Sequence, residues 1–364
     1  MSETKNVRAA KPITSATVVG WGIGVLSLTL FLAAQRAPGA VESLYSRAIY
    51  PSIASTLAWC FAWVPFSVGE LVLIVIPIVV LWGVIAGWRA GRRAGWGLPW
   101  SSIAAIGRGV ARVSVVWFLF LVCWGLNYSR WQPEMLFQLE PPQDSIQTEQ
   151  LIESIGRHLD ELRGGLAQDD QGVALMPGDL SELDLQLRQA QAELLAEQKL
   201  PTIDVGRVKR FESSPLLLRW GVSGMYGPFT GEPQLVLPAA PTQLPFTLAH
   251  ERAHLSGFAW EEAASFIGLL TCWRSDDPRV QYSGWLLLWI SLRHGSENRE
   301  PGVQRDLRAI SKFALEHRGR EAPTFWRAYS GFLSAHGVKG GTRSYGRVAG
   351  LALAWLSKHG VPNG

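Results

Sequence analysis

The run His250-Glu251-Arg252-Ala253-His254 sets two imidazoles and a carboxylate in the H-E-x-x-H pattern. On a helix, positions four apart lie one above the other, so His250 and His254 can offer two ring nitrogens to one ion. Glu251 then points to the side where a metal-bound water sits. Zinc lowers the pKa of such a water to roughly 7, and an adjacent carboxylate can take its proton as it attacks a carbonyl carbon. The competing reading is a core helix whose histidines are satisfied by hydrogen bonds. Burying two His and a Glu on one apolar helix is costly without a function, so the metal reading is preferred.

The elements around the motif must hold it in that geometry. Pro245 and Thr247 precede an apolar stretch and mark a helix start, and Leu248, Ala249, Ala253 and Leu255 give the helix an apolar face. Gly257 follows His254 by three positions and lets the chain turn back toward the metal. Glu261 and Glu262 come next and are the candidates for the third ligand, beside Zn2+ as the expected cofactor.

Composition places this site near a membrane. The 364 residues are 48% hydrophobic with 17 Trp, an excess concentrated at the N-terminal end. Apolar runs over about 13–34, 69–88 and 110–126 each approach the roughly 20 residues a helix needs to cross the hydrocarbon core. Arg112 in the third is expected to snorkel. The first run reads as a span and not a cleaved signal peptide, because Ala33-Ala34-Gln35 is a weak cleavage site. Between the first two spans, 53–63 reads as an amphipathic helix with its tryptophans at the headgroups.

Basic residues set the expected orientation. Lys5, Arg8 and Lys11 precede the first span, and Arg89, Arg92, Arg93 and Arg108 crowd the connection between the second and third, whereas the first connection holds only Arg36 and Arg47. Basic flanks stay in the cytoplasm, so the chain beyond about Asn127 is expected outside. These flanks also largely account for the net charge of +4, which excludes reading it as a nucleic-acid footprint. The expected partners are the lipid bilayer and a peptide or protein substrate outside the cytoplasm, with no nucleic acid. Cys60, Cys123 and Cys272 form no disulfide framework or cysteine metal site.

The fold expected is mainly α: a membrane part over 1–128, then an extracytoplasmic, mostly helical α+β part over 129–364 with a small hairpin or sheet. Helices are expected over about 146–159, 180–197, 264–273, 282–292, 303–317 and 345–358. Those over 146–159 and 180–197 carry solvated charges and no chemistry. Short apolar runs over 202–208, 216–220 and 234–237, broken by Gly and Pro, read as hairpin strands. A strand just before a zinc helix can hold an extended substrate against its edge, or simply support the helix.

Taken together, Trp124-Gly125-Leu126-Asn127-Tyr128, Gly224, Pro228-Phe229-Thr230-Gly231-Glu232, Pro245-Phe246-Thr247, the motif with Gly257-Phe258, Tyr282-Ser283-Gly284 and Ser344-Tyr345-Gly346-Arg347-Val348 resemble a bacterial family of membrane-anchored, zincin-like proteins of unassigned function. Pro65-Phe66-Ser67-Val68-Gly69 extends the resemblance into the second span. It implies a zincin-like, metallopeptidase-like membrane protein without supplying a substrate. The family pattern continues with Glu-Ala-Asn-Phe, whereas this chain has Ala263 where that glutamate falls, so the third ligand is either missing or displaced to Glu261, Glu262 or a more distant carboxylate such as Glu232 or Glu297.

Two functional readings follow. One is a zinc metallopeptidase with His250 and His254 as ligands, Glu251 as general base, and Tyr226, Tyr282 or His294 as transition-state partner. The other is a catalytically inactive envelope protein that keeps the fold as a binding or scaffolding surface.

Overall fold

The computed structural model describes residues 13–142, 144–295, 297–336 and 347–361. Lys5, Arg8, Lys11, Ser344, Tyr345 and Gly346 lie outside the described residues. Among the described residues, three helices are long and apolar enough to cross a membrane: α1 (Ser15–Arg36), α4 (Val68–Arg93) and α5 (Leu98–Cys123). Thr14 and Ser67 cap α1 and α4 by accepting backbone N–H bonds. α5 packs on both α1 and α4, and small buried residues such as Gly91, Ser101, Ala104 and Ala105 let α4 and α5 approach closely. Their outward faces expose large apolar side chains, Val25 at 68% and Ile106 at 62%, as expected of helices that face lipid.

The third helix begins at Leu98, well before the expected 110. Arg108 and Arg112 break the apolar run in sequence, and the Arg112 guanidinium lies 5.3 Å from the centre of the Trp82 ring on α4, so the neighbouring helix partly shelters it.

Between α1 and α4 the chain forms α2 (Pro38–Ala40), a π-helical stretch (Val41–Ile49) and α3 (Tyr50–Ala62). α3 covers the helix expected over 53–63 and starts three residues earlier, with Trp59 71% and Trp63, its C-cap, 79% exposed. A 3-10 turn (Gly125–Ser129) and the short α6 (Pro133–Leu136) lead from α5 into the rest of the chain.

Beyond them lie α7 (Ser145–Gly164) and α8 (Leu180–Glu197), each N-capped by an Asp. A three-stranded sheet then forms from β1 (Lys209–Arg210), β2 (Gly224–Gly227) and β3 (Glu232–Leu235), with α9 (Ser214–Trp220) between β1 and β2. The strand order is β1-β3-β2, β1 parallel and β2 antiparallel to β3. The sheet is smaller than the sequence pattern implied. Residues 202–208 are irregular and 216–220 lie in α9, where Pro215 starts a helix that Gly221 ends in the left-handed region.

α10 (Leu244–Leu255), α11 (Glu261–Arg274), α12 (Pro278–Leu292), α13 (Pro301–His317), α14 (Ala322–Ala335) and α15 (Arg347–His359) complete the chain. α14 has no counterpart in the sequence expectations. One apolar core runs without a break from Tyr50, Leu121 and Trp124 at the membrane helices to Leu248, Ala253, Phe266 and Trp285 on α10, α11 and α12. The C-terminal ends of α1 and α5 abut the rest of the chain through this core and the N-terminal end of α4 through Ser67 and Gly69, and Arg89, Arg92 and Arg93 lie toward the other end of α4.

Glu232, on β3, receives the backbone N–H of Gly69 at 2.6 Å and of Val68 at 3.3 Å, so it caps α4 and bolts the sheet to it. Replacing Glu232 with Ala leaves those donors unpaired in a buried place. A loss of about 1–2 kcal/mol is expected, read as a lower unfolding midpoint in detergent; an unchanged midpoint would contradict the capping role.

Candidate metal centre

Every residue of α10 from Pro245 to Leu255 is buried. Burying polar groups there is costly wherever they are not satisfied. Arg252, on the side of the helix away from the histidines, is paired with Asp184 of α8 at 2.8 Å. That pair fixes the rotation of α10 from behind.

Gly257 turns the chain back with φ +83°, and a Cβ there would lie 2.9 Å from the Tyr50 ring. The returning segment is held by Arg130, which donates to the Gly257 carbonyl at 3.0 Å and lies over the Phe258 ring, and which is itself paired with Glu42 at 2.9 Å. The turn delivers Glu261 as the first residue of α11, where a helix N-terminus favours a carboxylate.

Glu261 Oε2 lies 3.2 Å from His250 Nε2 and 3.7 Å from His254 Nε2, and the three ligand atoms all fall within 4.8 Å of one another. Donors about 2.0 Å from a tetrahedral zinc are separated by about 3.3 Å, so this donor set is of a kind zinc takes. The other nitrogen of each ring is already engaged. His254 Nδ1 donates to the Phe258 carbonyl at 2.7 Å, which leaves Nε2 with its lone pair free for a ligand bond. His250 Nδ1 meets Ser265 Oγ at 3.1 Å. Tyr329 of α14 donates its hydroxyl to Glu261 Oε1, leaving Oε2 to face the imidazoles.

The electrostatics follow from burial. Desolvation lowers the pKa of His250. It acts the same way on His254, but the nearby Glu261 and Glu251 carboxylates outweigh it and raise that ring. Burial alone would raise Glu261, and the two imidazoles instead hold it well below the usual carboxylate range. Glu251 has no such help: burial, opposed by His254 and reinforced by Glu261, pushes it up to about 8. Its Oε2 has no hydrogen-bond partner among the described residues. Among the described residues, a buried carboxylate oxygen without a partner therefore stands beside three converging donor atoms.

The remaining expected residues fall elsewhere. Glu262 turns to Arg347 at 3.2 Å, and Ala263 packs in the core. Tyr226 is buried with its ring on Trp124 and its hydroxyl 3.4 Å from that of Tyr50, whose own hydroxyl donates to the Leu255 carbonyl. Tyr282 donates to Asp306 at 2.6 Å in a buried cluster with Arg163, and His294 is exposed beside Trp289. Glu232 caps α4 as described, and Glu297 is exposed. The hydroxyls near Glu261 are instead those of Tyr329 and Tyr128. The Tyr128 pKa is raised first by burial and then by the Glu261 charge, and its ring packs on Trp124, which stands edge-on to His254. No local sequence signal marks Tyr329, which lies far downstream on α14.

A mainly helical chain with three helices long enough to cross a membrane and a buried His-His-Glu cluster beside an unpaired carboxylate defines the class. The chain belongs to the family described as protein of unknown function (DUF3810), which it matches over residues 45–353. No curated protein matches it, and no solved structure does.

The raised pKa of Glu251 has a consequence for stability. A folded-state pKa of about 8, above the unfolded value of 4.5, means that the metal-free protein is not penalised below pH 4.5 and loses stability as pH rises toward 8. Metal-free Glu251→Gln is therefore expected to unfold at a higher temperature than the parent at pH 9, by an amount worth a few kcal/mol, and at the same temperature at pH 4. Identical midpoints at both pH values would contradict the burial of an unpaired carboxylate.

Proposed function

We propose that the protein is a membrane-anchored, zinc-dependent metallopeptidase of zincin-like fold whose site faces the extracytoplasmic side. The observation that carries this reading is the convergence of His250 Nε2, His254 Nε2 and Glu261 Oε2 beside the unpaired Glu251 carboxylate. His250, His254 and Glu261 would hold the zinc, which would supply Lewis acidity and lower the pKa of a water to roughly 7. Glu251 takes a proton from the attacking water and delivers it to the leaving nitrogen. The water oxygen bonds to the carbonyl carbon, the C–N bond breaks with its electron pair on nitrogen, and an acid and an amine result. β2 lies alongside α10 and is bonded on one edge only among the described residues, so an extended peptide has a place to pair next to Glu251.

The ligand role and the base role separate experimentally. Purified full-length protein is expected to hold about one zinc per chain, and replacing both His250 and His254 by Ala to abolish it. Glu251→Gln should keep the zinc while peptide hydrolysis falls roughly 10²-fold or more. Zinc content indifferent to the double substitution would return the histidines to the core; zinc bound without hydrolysis of any peptide, and without effect of Glu251→Gln, would leave the scaffold reading.

Orientation is tested by fusion. A reporter enzyme active only outside the cytoplasm should be active after Leu200 and inactive at Gly95, because the basic residues of α4 anchor that connection inside. The reverse pattern would move the site to the cytoplasm.

A further inference from the structure

The β2–β3 hairpin runs between the metal centre and the membrane helices. At its start, Gly224 lies against the general base: a Cβ there would fall 2.6 Å from Glu251 Oε1. Around its turn and along β3, the hairpin is anchored on the membrane end of the molecule. Gly231 sits on Ala58 of α3, where a Cβ would come 2.7 Å from the Ala58 nitrogen. The Phe229 ring is 6.5 Å from that of Phe120, in the last turn of α5. Glu232 caps α4, and Gln234 accepts from Ser67 at 2.8 Å just before it.

Four residues of β2 therefore span the distance from the end of a membrane helix to the base, about 10 Å at roughly 3.3 Å per residue. The side facing this rail is aromatic. Phe332 of α14 packs on Phe120 at 6.1 Å and is 40% exposed, and one turn away on the same helix Tyr329 holds Glu261. A path that begins in apolar rings at the bilayer end and finishes at a buried base beside a free strand edge does not suit a peptide arriving from water. It suits one already held in the membrane.

Resting on the metallopeptidase reading, we propose that the substrate is a polypeptide anchored in the same bilayer, whose first extended residues outside the hydrocarbon pair with the free edge of β2. Cleavage then falls within roughly eight residues of the anchor, the stretch that β2 and its turn cover at about 3.3 Å per residue. Anchoring in the plane of the membrane also raises the effective concentration of substrate at the site, so affinity for the free peptide can be low.

The test uses the full-length protein in lipid vesicles with two peptide pools that share one randomised extended segment. One pool carries an apolar helical anchor at either end, and the other has none. A photocrosslinking phenylalanine analogue at Phe332, and in a second variant at Phe229, is placed in the Glu251→Gln protein so that capture does not depend on turnover. Crosslinks to the anchored pool and not to the free pool are expected at one or both positions, and the zinc-loaded parent should cleave the anchored pool on the order of 10²-fold faster, close to the anchor. Equal crosslinking of both pools, or none with the anchored pool at either position, overturns the inference whatever the cleavage. Crosslinking confined to the anchored pool without any cleavage keeps the docking of an anchored polypeptide and overturns the hydrolase reading instead.

Discussion

A carboxylate set between two imidazoles in an apolar core costs several kcal/mol of desolvation unless a positive charge lies among them. Glu261, His250 and His254 are in that position, and much of the molecule keeps them there. The Arg252–Asp184 pair holds α10 from behind, the left-handed Gly257 returns the chain, and Glu42 and Arg130 brace the loop whose Phe258 carbonyl fixes the His254 ring. Each of these contacts is buried and polar. Each is easier to understand as a support for a charged centre than as a contribution to stability by itself.

The centre is not separate from the membrane helices. Trp124, the residue after α5, donates its indole N–H to the His254 carbonyl at 3.1 Å, and Tyr50 at the start of α3 donates to Leu255. Glu232 ties the sheet to α4. A single apolar core passes through these contacts, so displacing the membrane helices would disturb the ligands directly.

The parts of this arrangement written in local pattern were legible in the sequence. The three apolar runs, the capped helices over 145–164 and 180–197, and the motif helix with its proline start and glycine stop all follow from periodicity and capping. Four things were not. The third long helix starts earlier than its hydropathy indicates, because Arg108 and Arg112 interrupt its apolar run and the ring of Trp82 that shelters Arg112 belongs to another helix. α9 resembles a strand in sequence because seven residues are too few for a helical period to separate from a short apolar run. α14 is marked only by the helical spacing of Phe325, Tyr329, Phe332 and Leu333. Its contribution, the Tyr329 bond to Glu261, joins positions 68 apart and is visible only in three dimensions. The choice between Glu261 and Glu262 was equally a matter of helix phase: the first residue of α11 faces the imidazoles and the second faces Arg347.

The most direct measurement is X-ray absorption at the zinc edge on the full-length protein loaded with one equivalent of zinc. The account expects low-Z ligands only, at about 2.0–2.1 Å, with the outer-shell scattering of two imidazoles, and loss of one oxygen ligand in Glu261→Ala with both imidazoles retained. A spectrum with no imidazole scattering, or one with two imidazoles that Glu261→Ala leaves unchanged, would contradict it.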